Sequence, residues 1–246
     1  MDSSGPRTTR LRRVVALVSL AALGLAACGG DDSTTSDDVV DSAADGAVET
    51  VTTDVTSDSG AAGSEAPAEA GAQGLQQNGP ITVTGTPLDP FEMSGADDPS
   101  IGTEAPVVEG ESFDGTAMTI GGPTENPTMV VFLAHWCPHC NEEVPVLISL
   151  DDDGSLPDDL DVVGVSTAVD AEAPNYPPSE WIDDRGWPWP TMADDDALTA
   201  ISAMGGTSFP FLVVLDTDGT VLARRAGQAT GPDTIAFLED ALSRRS

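Results

Sequence analysis

The chain has 246 residues, 39% hydrophobic and only 4% aromatic, with 9 basic side chains against 42 acidic ones and a formal net charge of −33. That length holds one ordinary domain plus additional segments, around a core that must be mainly aliphatic. Every basic residue is arginine, and so acidic a surface argues against nucleic-acid binding and against docking on anionic lipid through a basic patch.

Arg7, Arg10, Arg12 and Arg13 precede an uncharged apolar run over residues 14–27. A basic segment followed by a short apolar one reads as a secretory signal over residues 1–27. The run is shorter than the roughly 20 residues a spanning helix needs. Leu25-Ala26-Ala27-Cys28 resembles the lipobox of bacterial lipoproteins. That resemblance implies a lipid on the Cys28 thiol, cleavage before it, and attachment to the membrane through the lipid. An ordinary signal with an incidental cysteine, or an uncleaved anchor helix, are the alternatives. All three place the remainder outside the cytoplasm.

Residues 28–100 are rich in Asp, Ser, Thr, Ala and Gly, with no basic residue and few large apolar ones. Such a stretch buries too little surface to offset its chain entropy, which predicts a disordered acidic tether. Its root-mean-square span would be on the order of 45–50 Å. A folded domain is expected over residues 101–246, with order beginning near Gly102.

Within that domain, residues 128–134 (T-M-V-V-F-L-A) form a continuous apolar run suited to a strand buried on both faces. A helix is expected over 138–150, with Val144, Leu147 and Ile148 on one face and a kink at Pro145. Residues 161–166 read as a second buried strand, 178–185 as a short helix, and 194–204 as another helix ended by Gly205-Gly206. Residues 211–215 read as a third strand. The turn Asp216-Thr217-Asp218-Gly219 leads into a fourth over 220–224. A last helix over 232–242 carries Ile235, Leu238 and Leu242 on one stripe. This order implies an α/β sheet covered by helices.

The chemistry concentrates in Trp136-Cys137-Pro138-His139-Cys140, where a buried strand runs into a C-x-x-C that opens a helix. Cysteines three apart on a helix lie on one side, close enough to bridge. Cys137 at the helix N-terminus meets unpaired N–H groups and a dipole that favour an anion, the form that attacks. Cys140, one turn in, suits the resolving role, and Pro138 costs no hydrogen bond in the first turn. A structural zinc site would need a second C-x-x-C or a downstream histidine pair, and the sequence has neither. Cu(I) carriage is conceivable because thiolates suit that ion and His135 and His139 flank the pair.

On these residues, 102–242 resembles the thioredoxin superfamily, and more closely its TlpA/ResA-like extracytoplasmic branch. Gly102-Thr103-Glu104-Ala105-Pro106 is similar to the branch's opening motif. W-C-P-H-C with Glu143-Val144-Pro145 matches its active-site helix, and Gly206-Thr207-Ser208-Phe209-Pro210 with Asp216-Thr217-Asp218-Gly219 its later half. The resemblance implies a thioredoxin-like central mixed β-sheet flanked by helices, and disulfide exchange with extracytoplasmic protein thiols or disulfides through Cys137 and Cys140. It also implies a membrane redox partner, with no cofactor and no metal.

Further roles follow from the same resemblance. Pro210 would be cis and face the cysteines, and with the Phe209 backbone would hold a partner chain as an added strand. Phe209 stands where the family more often has a smaller residue. Trp136, Pro138, His139 and Glu143 are the redox-tuning candidates, Trp136 covering the disulfide and Glu143 taking a proton from Cys140. Val131 occupies the place of the buried acid of cytosolic thioredoxins. C-P-H-C resembles the oxidant DsbA, whereas the TlpA/ResA-like pattern suggests reduction, so the direction stays open. A peroxiredoxin would need Thr at Ala134. Copper-delivering or thiol-sensing lipoprotein is the second reading. Tyr176, Trp181, Trp187 and Trp189 read as packing residues or as a substrate-facing patch.

Overall fold

The computed structural model describes residues 74–93 and 97–245. Cys28, the signal over 1–27 and the tether up to residue 73 lie outside the described residues.

The described chain runs β1 (Thr82–Thr84), β2 (Val107–Ser112), β3 (Ala117–Ile120), β4 (Thr128–Leu133), α1 (Pro138–Asp152), β5 (Asp161–Ser166), α2 (Pro178–Asp184), β6 (Thr191–Ala193), α3 (Thr199–Ala203), β7 (Phe211–Leu215), β8 (Val221–Ala226) and α4 (Gly231–Leu242). The strands make one eight-stranded mixed sheet in the order β1-β2-β6-β5-β4-β7-β8, with β3 paired to β2. This is the thioredoxin-like α/β architecture that the resemblance implies.

β4 lies inside the sheet, parallel to β5 and antiparallel to β7. All its residues are buried because its alternating side chains feed different cores. Met129, Val131 and Leu133 enter one core with Val144, Leu147 and Leu238 of α1 and α4. Val130 and Phe132 enter the other with Phe211, Ile201 and Met204. A period-2 strand with both faces covered reads as an unbroken apolar run, which is why β4 and β7 were legible, and the valines of β5 (D-V-V-G-V-S) give a weaker form of the same signal. α1 continues through Pro145 and buries Cys140, Glu143, Val144, Leu147 and Leu150, the expected helical stripe. In α4 the Thr230 side chain accepts the Asp233 N–H as N-cap.

The expectations need correction in three places. Order does not wait for Gly102. Residues 74–93 and 97–100, expected as tether, lie against the domain. β1 pairs with β2, the Gln76 N–H donates to the Phe113 carbonyl and the Leu88 N–H to the Ala203 carbonyl. Leu88 is buried and the Phe91 ring lies 5.7 Å from that of Phe211. A few apolar side chains and backbone pairing suffice here, and composition does not register either.

Next, β2, β3 and β6 were missed, since β2 (V-V-E-G-E-S) is half polar, β3 (A-M-T-I) has only 4 residues and β6 only 3. Last, the helix expected over 194–204 shrinks to α3. The buried Asp194 carboxylate accepts the N–H groups of Asp195, Ala200 and Ile201, while Leu198 is left-handed at φ 60°. The carboxylate satisfies N–H groups that an earlier helix start would have bonded itself.

The N-terminal segment is held by Arg224 of β8, whose guanidinium is fully buried. Its Nε donates to Asp98 Oδ2 at 2.8 Å, its Nη1 to the Asp89 carbonyl at 2.8 Å and to the Met204 carbonyl at 3.1 Å, and it lies 5.5 Å over the Phe91 ring. Burial pushes the Asp98 carboxyl up, but hydrogen bonds from Arg224 and the Ser100 N–H outweigh this and hold it below the usual 3.8. Removing one partner of such a pair strands the other. Arg224→Met is therefore expected to destabilise the domain by about 3–5 kcal/mol, read from urea unfolding midpoints. A loss below about 1 kcal/mol, the worth of an exposed pair, would show that this strap contributes little.

Candidate active site

β4 delivers the chain to a turn at Ala134-His135-Trp136, and α1 starts at once. The Cys137 N–H donates to the Ala134 carbonyl at 3.0 Å, Cys137 is the N-cap of α1 in extended conformation, and Pro138 takes the first turn. Pro at that position removes only a donor that would have no helical partner. Both cysteines are free thiols. Cys137 is 6% exposed and Cys140 0%, so Cys137 lies at the rim, less open than the expected exposed thiol, and Cys140 lies inside. Burial pushes the Cys140 thiol up; the Ala134 N–H opposes this, and the charges of Cys137 and Glu143 add to it.

Phe209–Pro210 is a cis peptide, as the resemblance implied. The Cys137 thiol donates to the Phe209 carbonyl at 3.8 Å. The Phe209 ring stands edge-on to Trp136, with centroids 5.9 Å apart. Trp136 is 36% exposed and its indole N–H donates to the Ala168 carbonyl at 2.7 Å, so one ring beside Cys137 faces solvent. His139 is exposed between the cysteines, with Nδ1 3.2 Å from Gln228 Oε1 and 3.9 Å from Glu142.

Glu143 lies in the interior. Its Oε1 accepts from Arg225 Nη2 at 2.6 Å and its Oε2 from the Ala229 N–H at 2.8 Å. Burial holds its carboxyl above the ordinary glutamate range, and the Ala229 N–H and Arg225 offset this only in part. Val131 is buried in the apolar core. Trp181 and Trp187 are buried, Trp189 packs edge-on to Trp187 at 4.7 Å, and only Tyr176, at 46%, is largely exposed. The aromatic cluster is thus mainly packing. Among the described residues, no group of three or more His, Cys, Asp or Glu side chains could hold a metal ion.

Sequence reasoning missed a polar clasp around the active-site turn. His135 is fully buried. Its Nδ1 meets the Pro174 carbonyl at 2.8 Å and its Nε2 the Asp170 N–H at 3.2 Å. A carbonyl only accepts and an amide N–H only donates, so the ring carries a proton on Nδ1. The His135 carbonyl accepts from the side chains of Asn141 and Asn175. Asn141 Oδ1 in turn accepts from the Trp181 indole at 3.0 Å and from Arg185. Arg225, Gln228 and Ala229 were missed as well. The available signal was an arginine pair inside an apolar strand of a lysine-free chain.

With this geometry in place, likenesses to known proteins gain a physical basis. The model of the Redoxin family matches residues 100–242. The chain is 30% identical over 143 residues to a thiol:disulfide interchange protein DsbE homolog of Paracoccus denitrificans, covering 57% of this chain and 74% of that one. Among solved structures it is similar to StoA from Bacillus subtilis, with 19% identity, 57% of this chain and 99% of that one covered, and a TM-score of 0.45. It is also similar to a DsbF homologue from Corynebacterium diphtheriae, with 19% identity, 62% and 98% covered, and a TM-score of 0.49. The chain belongs to the redoxin family, among its thioredoxin-like thiol–disulfide oxidoreductases.

Proposed function

We propose that the protein exchanges disulfides with extracytoplasmic proteins while anchored to the membrane through a lipid on Cys28. The observation that carries the exchange reading is the pair itself. A rim thiol at the N-terminus of α1 lies against the Phe209 carbonyl and cis-Pro210, with a buried thiol one turn behind it.

In the reducing direction, the Cys137 thiolate attacks one sulfur of a partner disulfide. The partner S–S bond breaks, a mixed disulfide forms, and one partner sulfur leaves as thiolate. Cys140 then loses its proton, attacks the Cys137 sulfur and releases the second partner thiolate. Two electrons pass to the partner and the Cys137–Cys140 disulfide remains. Oxidation of a dithiol partner is the reverse, and reduction potentials decide the direction.

Burial holds the Cys140 proton tightly, so its release needs an acceptor. Glu143, one turn along the same buried face of α1, fills that role. The half-buried segment at Ser208 and Phe209, beside the Trp136 ring, receives the partner as an extended segment. His139 tunes the potential through the reduced state. A membrane redox partner restores the pair. The signal over 1–27 and the Leu25-Ala26-Ala27-Cys28 motif support the location, and residues 29–73 separate the domain from the anchor.

Three outcomes test this reading. Cys140→Ser is expected to accumulate partners as mixed disulfides on Cys137, visible as bands lost on reduction, and Cys137→Ser to trap almost none; iodoacetamide should reach Cys137 first. Trapping on Cys140 instead would reverse the assignment. His139→Ala is expected to lower the reduction potential measured against glutathione buffers, and an unchanged value would remove His139 from the tuning. Cys28→Ala is expected to leave the membrane fraction or retain its signal. A membrane-bound mature chain without lipid would overturn the anchor.

A further inference from the structure

Glu143 sits between groups that want it in opposite states. It is fully buried, which favours the neutral acid, yet both its oxygens face donors. Oε1 meets a guanidinium N–H and Oε2 a backbone N–H. Two donors, one of them a cation, favour the carboxylate over the acid, and each oxygen keeps a second lone pair for a proton.

Arg225, which supplies the charge, is itself held from three sides. Its Nη1 lies 3.3 Å from Thr234 Oγ1, its guanidinium lies 5.0 Å over the Phe237 ring, and its strand β8 is paired with β7. Its Nε is buried without a hydrogen-bond partner. Arginine keeps its proton in such surroundings, whereas a lone buried carboxylate does not keep its charge.

We propose that Arg225 is a positioning residue of the exchange reaction, holding Glu143 as the ionised acceptor into which the Cys140 thiol releases its proton. The inference rests on the dithiol exchange reading above and on the place of Glu143 in it. The charged and titratable groups that act on Glu143 or on its partners are Cys140 and, through it, Cys137 from the start of α1, Arg225 from β8, and Asp233 of α4, which acts on Arg225. His139 is turned outward to Gln228. Arg225 is the cation of this set, and the Ala229 N–H is a neutral donor that keeps the carboxylate in place.

The Cys140 S–H proton passes to a free lone pair of Glu143, and the resulting thiolate attacks the Cys137 sulfur of the mixed disulfide. The bond from Cys137 to the partner breaks and the partner departs as thiolate. Glu143 then returns its proton to the partner thiolate or to water. Arg225 neither gains nor loses a proton.

Ellman's reagent separates the two thiols in a reduced full-length chain carrying Cys28→Ser, so that every released chromophore comes from the pair. Attack by Cys137 releases one thionitrobenzoate and leaves another on its sulfur; attack by Cys140 releases the second. Arg225→Gln keeps a neutral donor near Glu143 but no charge. It is expected to leave the first phase within about twofold and to slow the second at least about tenfold at neutral pH, a modest share of what general base catalysis supplies. The midpoint of the second-phase pH profile should move upward, because without the cation burial lets Glu143 ionise only at higher pH.

Arg225→Lys should restore most of the rate. Glu143→Gln should be as slow as Arg225→Gln, and combining the two should add nothing. A second phase that is unchanged or faster in Arg225→Gln, or both phases slowed alike, would overturn the proposal. A faster one would mean that the Glu143 charge only repels the Cys140 thiolate. A parent chain that releases one chromophore and never the second would overturn the exchange reading itself.

Discussion

The register between β4 and β7 sets the geometry on which the rest of the molecule depends. These strands run antiparallel with Phe132 opposite Phe211. Each further step along β4, through Leu133 and Ala134 toward Cys137, corresponds to a step back along β7, through Pro210 to Phe209. The helix that begins at Cys137 and the cis peptide that faces it are thus extensions of two strands already bonded to each other. A shift of one residue in this pairing would turn every side chain of β4 to the opposite core. The two closely packed cores that hold Met129, Val131 and Leu133 on one face and Val130 and Phe132 on the other therefore also hold the distance between the thiol and its facing wall.

β8 adds a second constraint through adjacent arginines. Neighbouring residues of a strand point to opposite faces, so Arg224 reaches the N-terminal segment and Asp98 while Arg225 reaches Glu143 under the active-site helix. Both side chains are withdrawn from solvent in a chain whose surface is overwhelmingly acidic. Salt screens charges on that surface but acts weakly on pairs held inside. The loop after β8 continues the coupling: the Gly227 N–H bonds the Pro210 carbonyl, Gln228 meets His139, and the Ala229 N–H meets Glu143. One short segment thereby touches the cis-proline, the residue between the cysteines and the buried acid.

The sequence was most legible where one physical signal dominates. Buried central strands announce themselves as apolar runs, unbroken in β4 and β7 and valine-rich in β5, and all three fell where expected. The cysteine pair and its proline were readable because C-x-x-C after such a run leaves few geometries. What escaped depends on long-range pairing. β1 gains its partner only through β2, and Asp194 delays α3 through hydrogen bonds to residues further along the chain. Glu143 was singled out by position, but nothing near it in sequence announces that Arg225, 82 residues away, shares its carboxylate. His135 was noted only as a flanking histidine, because its roles lie in carbonyl and amide groups of residues 170–175 that carry no compositional signature.

The strap along the start of the domain has a mechanical consequence. Tension applied at the N-terminal end of the described chain would first load the Gln76 and Gly79 backbone bonds and the β1–β2 pairing. It would then reach Leu88, Phe91 and the bidentate Asp98–Arg224 contact. Several contacts in series stand between that end and β4. The cysteine pair is mechanically insulated from pulling along its own chain, and the first structure to give way under load would be the strap.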